Sequence, residues 1–191
     1  MMKHIAIFAS GSGTNAQAIM ERMQNNPRGR VVALLSNKTD AYALTRAAQF
    51  GVETFVFKAQ TLRDNPNEIL DILTRKEVDL VVLAGFMLLM PAVIVAQYEG
   101  RIINIHPALL PSYGGKGMYG DNVHKAVIAA HEKQSGITIH YVNANYDDGS
   151  TIFQATTPIT PGETADTLAA KIHVLEHKYF PEVIEKLCDE R

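Results

Sequence analysis

The chain has 191 residues, enough for one domain with a full hydrophobic core. Its 18 basic and 20 acidic residues leave a net charge of −2 with no basic block, so nucleic-acid binding has no electrostatic support. The one cysteine, Cys188, excludes a disulfide within the chain and a cysteine metal cluster, and it fits a reducing compartment.

The N-terminus carries too short an apolar run for a signal peptide, and Ile5–Ala9 reads as a first strand. A Gly/Ser loop follows, then a helix from about Asn15 to Gln24, then a strand over Val31–Ser36. Asp40 is placed to cap a helix that Gly51 ends. Glu53–Phe57 reads as a short strand. Asn65 and Pro66 read as the cap and first residue of a helix reaching about Lys76. Asp79–Ala84 is a strand of continuous apolar residues, as expected where both faces are buried. The apolar stretch Leu80–Met90 is too short to span a membrane, so a soluble, cytoplasmic protein is expected. Pro91 opens a short helix, and Arg101–His106 is the next strand.

Beyond it, Pro107–Gly120 is rich in proline and glycine and reads as a long surface loop. A helix is expected over Asn122–Glu132. Strands follow at Gly136–Val142 and Thr151–Pro158, joined by the polar turn Asn143–Ser150. Gly162 precedes a long amphipathic helix with apolar positions Leu168, Ile172, Leu175 and Tyr179. Pro181 should kink that helix or start a new segment. Strands alternating with helices predict an α/β fold: a single-domain, doubly wound, mostly parallel sheet with an antiparallel edge in the C-terminal half.

Two stretches carry chemistry. Asn104 and His106 lie two apart on a strand, so they share a face, and Pro107 ends the ladder beside them. The carboxyl edge of an open α/β sheet is where ligands bind. An amide and an imidazole there suit proton transfer beside a developing oxyanion. The loop Ser10-Gly11-Ser12-Gly13-Thr14-Asn15 joins the first strand to its helix and suits a phosphate, through close backbone amides and the helix N-terminus. It lacks the Gly-Lys-Ser/Thr ending of a Walker loop. Ala16 stands in the third glycine place of a dinucleotide fingerprint, which leaves NAD binding open. The competing reading is a tight turn that merely caps a helix.

Together these pieces resemble the folate-dependent formyltransferases over essentially the whole chain. Four stretches carry the likeness: Ser10–Asn15; Leu83-Ala84-Gly85-Phe86-Met87; Asn104-Ile105-His106-Pro107-Ala108-Leu109-Leu110-Pro111; and His140–Gly149 with Asp147. The glycine loop points to the branch that formylates phosphoribosylglycinamide. Relatives that formylate methionyl-tRNA lack this loop and carry an extra C-terminal domain. A formyltetrahydrofolate hydrolase normally has an added N-terminal domain, for which a strand beginning at Lys3 or His4 leaves no room. A formyltransferase for another phosphosugar amine competes with this reading, as does a folate- or nucleotide-binding protein without catalysis.

The resemblance implies 10-formyltetrahydrofolate as co-substrate, no metal, small-molecule substrates, no nucleic acid, no membrane, and a monomer or homodimer. It implies that Asn104 donates to the formyl oxygen, that His106 also faces the formyl group, and that Asp147 orients His106 and raises its pKa. His140 and His124 would support them. Gly11, Ser12, Gly13, Thr14 and Asn15 would hold the nucleotide phosphate. Glu176 would hold the glycinamide amine, and His173 stands where relatives often carry a lysine near the phosphate. Met87, Leu88, Leu89, Met90, Asn143 and Arg63 would contact folate, together with Asn104 and Asp147. The chain departs from the family pattern at Leu88, where many relatives have arginine, and at Asp148 and Ser150, where glycine and proline are usual. Asp148 in a glycine place predicts backbone strain there. Lys116–Gly120 looks like an insertion that either covers the nucleotide or is a tolerated surface loop.

Overall fold

The structure, a computed structural model, describes residues 2–189. Met1, the first residue of the N-terminal segment, and residues 190 and 191 lie outside that range. Seven strands form one sheet in the order β3-β2-β1-β4-β5-β6-β7. The strands are β1 (Lys3–Phe8), β2 (Gly29–Ser36), β3 (Glu53–Val56), β4 (Leu80–Leu83), β5 (Ile102–His106), β6 (Gln134–Tyr141) and β7 (Thr151–Pro158). Pairing is parallel from β3 through β5, and antiparallel where β6 joins β5 and β7 joins β6.

Strand parity sorts the core into two layers. In β1, Ile5 and Ile7 pack with buried residues of α1 (Thr14–Met23), α2 (Tyr42–Gln49), α6 (Asp121–Ala129) and α7 (Ala165–Asp189). Ala6 and Phe8 point the other way, into a layer with α3 (Ala59–Asp64), α4 (Asn67–Arg75) and α5 (Ala92–Gln97). Helices therefore cover both faces, as the continuous apolar run of β4 predicts. The connection order reverses between β1 and β4, so a crevice opens beyond their carboxyl ends. No helix among the described residues is long and apolar enough to cross a membrane.

The structure differs from the sequence expectations at four places. The residue before α2 is Ala41, with extended dihedrals and no side-chain cap, and Asp40 plays no capping role. Pro66 already has helical dihedrals (φ −61°, ψ −15°), but the Asn65 side chain bonds Glu68 Oε1 at 2.6 Å instead of capping the backbone. Helix α3 has no clear signal in the sequence: it is six residues long and buries only Leu62. Helix α7 runs through Pro181 as one element to Asp189, so no new segment starts there. An internal proline costs about 3 kcal/mol. Burying Phe180, Val183 and Ile184 at about 1.5–3 kcal/mol each outweighs it.

Candidate active site

The crevice holds a cavity of about 530 Å³. One wall is the glycine loop. Gly13 precedes α1 with a φ of 72°, and a Cβ there would fall 2.5 Å from that of Ala43. Glycine is thus required both by conformation and by the close approach of α2. Having no side chain, it leaves the first-turn N–H groups of α1 without a cap, open to an anion. Arg46 of α2 donates to the Ser12 carbonyl at 2.8 Å, which sets a cation behind the loop. Ser10 ties this wall to the next one: its Oγ donates to Asn37 Oδ1 (2.6 Å) and accepts from the Met87 N–H (3.2 Å).

The second wall follows β4. Phe86 packs edge-on to Phe8, with ring centroids 5.3 Å apart, and anchors the segment. Met87 and Leu89 remain 47% and 41% exposed while lining the cavity. Large apolar side chains left open to a cavity suit a flat heterocycle.

The polar centre forms where β5 meets β6. Asn104 pairs directly with His140 across the two strands. His140 Nδ1 lies 2.9 Å from the Tyr141 carbonyl, which can only accept, so Nδ1 carries the hydrogen. In the neutral ring Nε2 is then an acceptor, and Asn104 Nδ2 donates to it at 3.1 Å. The other Asn104 hydrogen has only a long contact, 3.5 Å, to Asp147 Oδ1. His106 Nδ1 lies 3.5 Å from Asp147 Oδ2, and the Gly115 N–H donates to that same oxygen at 2.9 Å.

Burial alone would push the Asp147 carboxyl up. Hydrogen bonding with His140, the Gly115 N–H and the nearby imidazoles together outweigh it and hold Asp147 below the usual carboxylate range. The His140 hydrogen bond needs a proton on Nε2 and the imidazole charges need protonated rings, whereas the Gly115 N–H acts in every state. Asp147 acts on His106 in the expected direction, raising its pKa, but burial acts against it and prevails. Desolvation of the ring outweighs the carboxylate and the Tyr113 carbonyl, so His106 lies below its ordinary value.

The turn after β6 differs from expectation in one respect. The left-handed residue is Asp147 itself, with a φ of 53°, whereas Asp148 is not left-handed. Aspartate tolerates this conformation better than most residues. Asp148 instead accepts from Asn143 Nδ2 (3.2 Å) and Asn145 Nδ2 (3.0 Å), bracing the turn from outside. Gly149 is retained because a Cβ there would lie 1.7 Å from the Tyr141 carbonyl oxygen.

Helix α7 supplies Glu176, buried to 7% exposure in the stripe between Ile172 and Phe180. It accepts from Asn15 Nδ2 at 3.0 Å. Desolvation raises its pKa, against the Asn15 bond and the charge of His173.

The cavity wall thus gathers Gly11–Asn15, Met87–Met90, Asn104, His140, Asp147, His173 and Glu176, and the loop Gly115–Gly120 lines it too. His106, at 3% exposure, stands behind Asp147 rather than on the wall. His124 is buried and also off the wall, with Nδ1 lacking a partner. Asn143 turns its amide to Asp148. Arg63 is not brought to the site: it pairs with Asp64 at 2.8 Å on exposed α3. Arg46, Tyr113 and Gly115 join the site without a signal in the sequence, the last two because they act through main-chain groups. Among the described residues, no group of three or more His, Cys, Asp or Glu could hold a metal.

Residues 3–184 match the family model described as formyl transferase. The chain is 40% identical over 193 residues to a chloroplastic phosphoribosylglycinamide formyltransferase of Vigna unguiculata, covering 99% of this chain and 62% of that one. It therefore spans less than two thirds of that plant relative. It is 36% identical to the phosphoribosylglycinamide formyltransferase of Bacillus subtilis, covering 97% and 95% of the two chains. Among solved structures, the phosphoribosylglycinamide formyltransferase of Anaplasma phagocytophilum superposes with a TM-score of 0.91 at 33% identity, covering 99% and 88%.

Proposed function

Because the chain belongs to the formyl transferase family, we propose that it moves the formyl group of 10-formyltetrahydrofolate to the amine of N1-(5-phosphoribosyl)glycinamide. The products are N-formylglycinamide ribonucleotide and tetrahydrofolate, a step of de novo purine synthesis. One observation carries the reading. Asn104, His140 and Asp147 meet on one cavity wall, between a glycine loop with a buried glutamate and an apolar slot.

In this reading the phosphate takes the Gly11–Asn15 loop, with His173 nearby, and Glu176 holds the glycinamide amine. The pterin lies against Met87–Met90, under the turn that carries Asp147. The transfer is an acyl exchange: the amine–carbon bond forms, the carbon–N10 bond breaks, the amine loses a proton and N10 gains one. Asn104 turns its weakly held hydrogen from Asp147 to the formyl oxygen as that oxygen gains charge. Asp147, held as a carboxylate, attracts the proton leaving the amine. His106, neutral behind it, is a second station for that proton. The lone cysteine, Cys188, is buried and its thiol is pushed up to about 11, chiefly by desolvation, so it is unreactive. The enzyme is proposed to work in the cytoplasm, as monomer or homodimer.

The test is formyl transfer from 10-formyltetrahydrofolate, with and without glycinamide ribonucleotide. Tetrahydrofolate release that requires the amine is expected; release that ignores the amine would identify a hydrolase instead. His106→Ala should lower kcat by roughly 10²–10⁴-fold while leaving folate binding intact. Near-normal turnover would remove His106 from the mechanism.

A further inference from the structure

We propose that Tyr113 is a positioning residue for this acyl transfer: its main-chain carbonyl fixes the proton of His106 on Nε2, so that Nδ1 is the nitrogen that faces Asp147. The proposal rests on the function proposed above, and its starting point is a backbone outlier. Tyr113 has a φ of 58°, a conformation uncommon for any residue but glycine and most of all for a bulky one. Such strain persists only where the surroundings impose it, and it gathers at functional sites.

Here Tyr113 is held from two ends. Its hydroxyl donates to Glu132 Oε1 at 2.7 Å, in the connection between α6 and β6, and its ring packs on the core. Its carbonyl lies 2.7 Å from His106 Nε2. A carbonyl only accepts, so Nε2 carries the hydrogen. In the neutral ring the lone pair is then on Nδ1, 3.5 Å from Asp147 Oδ2. A second proton arriving on this ring lands beside the carboxylate. The other tautomer would set a lone pair against the Tyr113 carbonyl and forfeit that hydrogen bond.

The same short segment also orients the carboxylate, through the Gly115 N–H. Between the two, Gly114 lies so close that a Cβ would fall 2.6 Å from Leu110 Cδ2 and 3.2 Å from Asp147 Cβ. Three consecutive residues thus set the geometry of both His106 and Asp147.

Tyr113→Phe removes the hydroxyl anchor and keeps the ring. Two results are expected together. The kcat for formyl transfer falls about tenfold with KM for both substrates unchanged, the pattern for an interaction used only in the transition state. The ring-nitrogen NMR spectrum of neutral His106 changes from the Nε2–H tautomer alone to a mixture with Nδ1–H. Glu132→Gln keeps an acceptor oxygen for the hydroxyl and should retain both the wild-type rate and spectrum; Glu132→Ala should copy Tyr113→Phe. Either effect without the other overturns the proposal, and so does a neutral wild-type ring protonated on Nδ1. If the wild-type protein transfers no formyl group, the function is wrong, and the nitrogen spectra still judge the Tyr113 contact separately.

Discussion

Asp147 and Asp148 are adjacent in sequence and opposite in surroundings. Asp147 is 12% exposed, with two imidazoles within 3.6 Å and a main-chain donor on one oxygen. Asp148 is exposed, and its side chain accepts hydrogen bonds from the amides of Asn143 and Asn145. Asp147→Asn should therefore cut kcat by roughly 10²-fold or more, and Asp148→Asn by no more than a few-fold. Steady-state kinetics of the two variants checks this, and the reverse ranking would move the role to Asp148. The family resemblance, counted from His140, already points to Asp147. It cannot tell that the left-handed backbone falls there too, because φ at this turn is decided only when the folded chain packs. Asn104 and His106 are legible as a pair. Their different depths are not, since burial depends on the loop that covers His106.

Helix α7 combines a cost, the buried Glu176 and internal Pro181, with the gain of its buried apolar residues. Its periodicity foretells the stripe of Leu168, Ile172, Leu175 and Tyr179, and Glu176 sits inside the buried part of that stripe. A carboxyl whose pKa is raised by burial destabilises the fold when charged. Glu176→Gln keeps an oxygen for Asn15 and removes the charge. It should raise stability at neutral pH by about 1 kcal/mol while raising KM for the nucleotide substrate. Urea unfolding and KM measured on one preparation test both; a less stable variant would mean Glu176 is held by more than Asn15. The uninterrupted passage through Pro181 is not legible, because proline's local cost is known from sequence and the packing that outweighs it is not.

For the whole molecule, the buried histidines set the response to acid. His106 and His124 both lie below their ordinary value, chiefly because burial disfavours the charged ring. The unfolded chain takes up these protons near 6.5 and the folded chain only at lower pH. The unfolded state therefore binds more protons below 6.5, and stability falls as pH drops through that window. Glu176 has the opposite sign: the folded chain retains its proton above 4.5, so this group's cost shrinks on acidification. The urea midpoint should fall between about pH 7 and about pH 5.5, and more steeply in Glu176→Gln, where the opposing group is gone. An equal slope in the two proteins would show that Glu176 is already neutral, or not desolvated, in the folded state.

Beyond Asp147, to which only the family resemblance pointed, the sequence by itself determined the α/β alternation, the reversal of strand direction in the C-terminal half, the glycine loop and the Asn104–His106 pair. Those features depend on residue type and near-neighbour spacing, which the chain displays directly. Only the tertiary structure decided which groups come within hydrogen-bond reach. It excluded Arg63, put Glu176 beside Asn15, and brought the Tyr113 carbonyl to His106 and the Gly115 N–H to Asp147. Main-chain donors and acceptors are alike at nearly every residue, so the contacts that orient the candidate site leave no mark in composition or spacing until the chain is folded.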